Sequence, residues 1–100
     1  MALDLALATR ADFEAQRGTR FRLRLDAARC LELELIATEP LPTPPRAARD
    51  SFLVSFRAAG RPHLPQQTYR LELEVLGELD VFLVPAGPDA RGMRYDAVFS

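Results

Sequence analysis

Four glutamates, Glu32, Glu34, Glu72 and Glu74, stand at every second position in two stretches of the chain, and they offer the most scope for acid or base chemistry. A glycosidase-type pair needs two carboxyl groups facing each other across a cleft. Each of these glutamates instead alternates with leucine or valine and shares its phase with arginines such as Arg22, Arg24 and Arg70, so the four are expected on a wet face as a solvated charge ladder. His63 is the only histidine and sits in a Pro-His-Leu-Pro loop, so a zinc ion there would have to draw on carboxylates or Cys30. Ser51, His63 and Asp50 could be written down as a triad, yet neither a nucleophile elbow nor a glycine-rich oxyanion loop accompanies them. Phosphate-binding glycine loops and dinucleotide fingerprints are absent. The expectation is no enzyme, no metal and no cofactor.

Charge and composition narrow the partners. Thirteen basic residues face fourteen acidic ones for a net charge of -1, without the positive excess that drives binding to phosphate backbones, so nucleic acid is not an expected partner. The single cysteine, Cys30, cannot make an internal disulfide, which fits a reducing cytoplasm. The opening residues are apolar but carry Asp4 and no basic leader, and nothing approaches the ~20 apolar residues of a membrane span. A chain of 100 residues with 48% apolar and 27% charged side chains is expected to form one soluble domain over residues 1–100.

The elements follow from periodicity. Thr9, with Asp12 three residues on, caps a short helix over residues 10–16 that Gly18 can end; Phe13 is its only large apolar residue, so the helix closes the end of a sheet. From Phe21 the period is two. Phe21, Leu23 and Leu25, then Leu31, Leu33 and Leu35, read as a hairpin in which Arg24 lies opposite Glu32, Arg22 opposite Glu34 and Leu23 opposite Leu33. Residues 39–50 hold four prolines and read as a stiff loop, the Pro42 to Pro45 spacing being its by-product. Phe52, Val54 and Phe56 mark a third strand. Tyr69, Leu71, Leu73 and Val75 turn at Gly77 into a fifth over residues 79–85; a loop over 86–92 leads to a closing strand through Tyr95, Ala97 and Phe99. Six strands with short connections predict a mainly all-β domain, an antiparallel meander forming a small barrel or sandwich.

Leu53, Phe82, Val84 and Val98 fall on the phase opposite the core residues of their strands. They need cover, either from the N-terminal segment through Leu3, Leu5, Leu7 and Phe13 or by burial of both strand faces; otherwise they form a surface for self-association or a protein partner.

Several segments resemble a family of small, functionally uncharacterised bacterial domains: Phe13 followed by Gly18-Thr19-Arg20-Phe21, Ser51 to Phe56, Leu64 to Tyr69, Leu76 to Leu79, Phe82 to Pro85 and, most specifically, Tyr95-Asp96-Ala97-Val98-Phe99. The resemblance covers nearly the whole chain from Phe13, with Asp96 and Ser100 where members often carry Glu and Asn. It implies a bacterial β domain and brings no active site. The expected function is a noncatalytic protein-binding or assembly module; the alternative is a small-molecule or glycan-binding barrel with His63 and Tyr69 among its contacts.

Overall fold

In the computed structural model, which describes residues 8–43, 45, 50–59, 64–73 and 77–99, a short helix α1 (Arg10–Glu14) precedes six strands. These are β1 (Arg20–Arg24), β2 (Cys30–Pro40), β3 (Phe52–Ala58), β4 (Gln67–Leu73), β5 (Gly77–Asp89) and β6 (Gly92–Phe99). The antiparallel barrel with one N-terminal helix forms as the two-residue period requires: Phe21, Leu23, Leu33, Leu35, Val54, Phe56, Leu71, Leu83 and Tyr95 are all buried inside it. Their side chains fill the interior of a ring only six strands wide.

The cap on α1 is as read from the sequence, with the Asp12 amide donating to Thr9 Oγ1 and the Thr9 amide to Asp12 Oδ2. The helix stops at Glu14 rather than residue 16, and turns carry the chain to Gly18 at φ +88°. Such a short helix cannot hold itself together, so tertiary contacts must hold it. Phe13 supplies them by packing on Phe99 and Phe52, with ring centroids 5.0 and 5.9 Å away, and Thr38 Oγ1 of β2 donates to Glu14 Oε2 at 2.6 Å. Phe13 thus plugs one end of the barrel.

The β1–β2 hairpin forms on the expected faces but two residues out of the expected register. Arg22 lies opposite Glu32, Leu23 opposite Leu31 and Phe21 opposite Leu33. The cause is Asp26, whose carboxylate accepts from the Ala28 and Arg29 amides at 2.8 and 2.9 Å and from Arg29 Nε at 2.8 Å. A side chain that satisfies two turn amides belongs in the turn, so the ladder begins at Arg24 and Leu25 is left partly exposed. A shift of two keeps every leucine on the core face, which is why the hydrophobic pattern alone cannot detect it.

Two expected loops are partly strand. Glu39 and Pro40 extend β2 to pair with Leu53 and Phe52, after a bulge between Leu35 and Ala37. Residues 86–89 extend β5, which is bulged between Pro85 and Gly87. Gly87 takes φ +100° there, a conformation that only glycine adopts freely, so the glycine and prolines that read as a loop are the means of bending one long strand.

The strand order is β1-β2-β3-β6-β5-β4, closed, and so differs from a plain meander at the β3–β4 connection. That connection carries β4 back to β1, a Greek-key step, and β3 pairs with β6 instead. β5 serves both neighbours in turn: its first half, to Leu83, pairs with β4, and its second half, from Val84, with β6. Two tyrosines hold the crossing chain. The Leu64 amide donates to Tyr95 Oη at 3.1 Å, and Tyr69 Oη donates to the Pro65 carbonyl at 2.6 Å.

Candidate protein-docking face

The outside of the barrel is divided by the chemistry of its outward positions. On β1, β2, β4 and the start of β5 these are charged and cross-linked: Arg20 Nη1 to Glu32 at 3.1 Å, Arg24 Nη2 to Glu72 at 2.7 Å, and Arg70 to both Glu78 and Asp80 at 2.9 Å. Glu32, Glu34 and Glu72 therefore stand on the wet face; Glu74 lies outside the described residues. The hydrogen bond and charge of Glu72 raise the pKa of Arg24, so the guanidinium stays charged. A groove of about 540 Å³ on this side is lined by Arg20, Arg22, Glu32, Glu72 and Glu78, of which Arg20 and Glu32 pair with each other while Glu72 and Glu78 pair with Arg24 and Arg70.

The ladder stops at Asp80. Beyond it, four outward positions on β5, β6 and β3 are apolar, set among the polar Ser55, Arg57, Arg94 and Asp96 of β3 and β6. Leu53 of β3 lies directly opposite Val98 of β6, and Val84 of β5 lies opposite Asp96, one same-face step from Val98. Phe82 shares the outer face of β5 with Val84 and faces Thr68 of β4. Val98 is 65% exposed, Phe82 50% and Val84 37%, with Leu53 half-buried. The four residues picked out by phase are thus brought together on adjoining strands, and the bulge adds exposed Ala86, which the sequence reading missed because it placed residues 86–92 in a loop.

Both faces of these strands are not buried, and Phe13 is inside the barrel end, against Phe52 and Phe99, rather than over the outer face. Leu3, Leu5 and Leu7 lie outside the described residues. The face also contains one ordered polar unit: Ser55 Oγ donates to Asp96 Oδ1 at 2.8 Å, and Arg94 Nε lies 3.5 Å from the same oxygen.

The other sequence candidates are dispersed. Tyr69 is buried, with its hydroxyl committed to Pro65; desolvation, and then the neighbouring Tyr95, push its pKa up and keep it protonated. Ser51 is buried, Asp50 is exposed and His63 lies outside the described residues. Cys30 is exposed opposite Arg24 at the head of β2. Among the described residues no three His, Cys, Asp or Glu side chains come together to hold a metal ion, and no helix is long and apolar enough to cross a membrane.

A family model described as a domain of unknown function, DUF6916, matches residues 8–99. No curated protein and no solved structure matches the chain.

Proposed function

We propose, for a chain that belongs to the DUF6916 family, that the barrel is a noncatalytic protein-binding or assembly module whose contact surface is the outer face carrying Leu53, Phe82, Val84 and Val98. The observation that supports this reading is the register: Leu53 opposite Val98, with Val84 one diagonal step away, makes a continuous apolar area on a barrel whose other outward rows are salt-bridged. Depletion of charge around exposed aromatic and aliphatic groups is the compositional mark of the centre of an interface. Rigidity supports it too, since a closed ladder backs every one of these side chains and little entropy is lost when they are covered.

The test uses the full chain, tagged, to retain proteins from extract of its own source cells. Wild type is compared with Phe82→Arg and Val98→Arg, both at exposed positions where the fold tolerates charge, and with Glu34→Gln on the charged side. A partner kept by wild type and Glu34→Gln but lost by both arginine variants is the expected result. Equal retention by all four removes the apolar face from the function.

A further inference from the structure

Building on that docking reading, we infer that the partner presents apolar side chains bracketed by lysine or arginine, and that it is another protein rather than a second copy of this chain. The inference comes from what the sheet register sets next to the apolar residues. Glu39 of β2 lies opposite Leu53. Asp96 of β6 lies opposite both Ser55 and Val84. Asp80 precedes Phe82 on the same face of β5. These three are the charged side chains that stand directly opposite, or two residues along the strand from, Leu53, Phe82, Val84 and Val98, and all three are carboxylates.

Arg70 and Arg94 stand one diagonal step from Phe82 and Val84 and answer two of them. Arg70 Nε bonds Asp80 at 2.9 Å, and Arg94 Nε lies 3.5 Å from Asp96. Glu39 is exposed and, among the described residues, makes no ion pair. The apolar centre is therefore rimmed by three carboxylates, two of them paired with arginine and the third, Glu39, without an arginine partner among the described residues. Two copies packed face to face through a two-fold axis would press these acidic rims together, because the same patch contributes to both sides. A partner with basic flanks gains where a second copy loses, mainly in association rate and in rejection of wrong partners.

The experiment is a 15N-resolved NMR titration of the full chain with three peptides of equal length, in which leucine alternates with lysine, glutamine or glutamate. The expected result is that the lysine peptide shifts the resonances of Phe82, Val84 and Val98 and binds at least about tenfold more tightly than the glutamate peptide at low salt, an advantage that shrinks as the Debye length falls below about 5 Å. Glu39→Gln is expected to weaken the lysine peptide about three- to tenfold, whereas Glu34→Gln, the same loss of charge at an exposed position away from the face, leaves it unchanged. Equal weakening by the two variants would reduce the effect to net charge and overturn the inference. Equal binding of all three peptides at Phe82, Val84 and Val98 would overturn it while leaving the docking reading intact; no shift at these residues with any peptide would overturn both. Concentration-dependent shifts at the same residues without peptide would place a second copy on the face and also overturn it.

Discussion

The guanidinium of Arg57 on β3 reaches across β6 to the carboxylate of Asp89 on β5, with contacts from 2.7 to 3.2 Å, and passes over Gly92 on the way. Asp89 Oδ1 also accepts from the amides of Arg91 and Gly92 at 2.8 and 2.9 Å, so one carboxylate closes the β5–β6 turn and ties it to a third strand.

This arrangement makes part of the protein's stability depend on acid. The Arg57 hydrogen bonds first, then the Arg91 amide, hold the Asp89 pKa at about 2, below the ordinary 3.8. Because the folded-state value is depressed, the contribution is complete above about pH 4 and is lost as pH falls from 3.8 toward 2. Urea midpoints across that range should fall less steeply for Asp89→Asn than for wild type, from a lower starting value at neutral pH. Parallel curves would show that Asp89 has no part in the acid limb.

Gly92 allows the arch to close. A Cβ there would lie 2.2 Å from the Ala58 carbonyl oxygen, a backbone atom of the paired strand that cannot step aside without parting β3 from β6. Gly92→Ala is expected to cost about 1–3 kcal/mol or more by overpacking. Gly18→Ala meets nothing within 4 Å and bears only the strain of φ +88°, about 1–2 kcal/mol. Chemical denaturation ranks the two; a Gly92 variant no worse than the Gly18 variant would contradict the close approach.

Phe13 is fully buried between the stacked rings of Phe52 and Phe99 and the barrel end, although it belongs to a helix of five residues. Phe13→Ala is expected to cost about 3–5 kcal/mol, as for other buried aromatics. Thr9→Ala, which removes only the cap, should cost about 1 kcal/mol. A Phe13 variant with an unchanged unfolding midpoint would mean that the helix is not part of the core.

Tyr95→Phe keeps the packing and removes the oxygen that receives the Leu64 amide. Leaving a part-buried amide without that acceptor should cost about 1–3 kcal/mol. Hydrogen exchange at Leu64 reports the loss directly: its amide should exchange faster in the variant while the amides of β3 and β6 keep their protection. Unchanged exchange at Leu64 would rule out Tyr95 as the anchor of the β3–β4 crossing.

Much of this arrangement is legible in the chain and the rest is hidden for identifiable reasons. Alternation at Phe21, Leu23, Leu33 and Phe56 defines both the strands and their core faces, since a side chain every second residue has only one inside. The hairpin register depends instead on the two amides that Asp26 accepts, and a two-residue slip leaves the alternation unchanged. Gly87 and Pro88 read as loop because composition cannot distinguish a bulged strand from a turn. The neighbours of β4 are not encoded in its own period at all, so the return to β1 becomes visible only in three dimensions. Leu53, Phe82, Val84 and Val98 were legible from phase, but Glu39 was hidden in a proline-rich stretch read as loop.

The return of β4 to β1 also governs how the ring can be made. Arg22 must find Glu72 and Phe52 must find Phe99, contacts separated by roughly half the chain, and each seam joins a strand of the first three to one of the last three. Folding dominated by such distant pairings runs in the range of about milliseconds to seconds. A ribosome that has released only residues 1–58 therefore holds a half-ring with two bare sheet margins, a species prone to sticking to its own kind until the second half emerges.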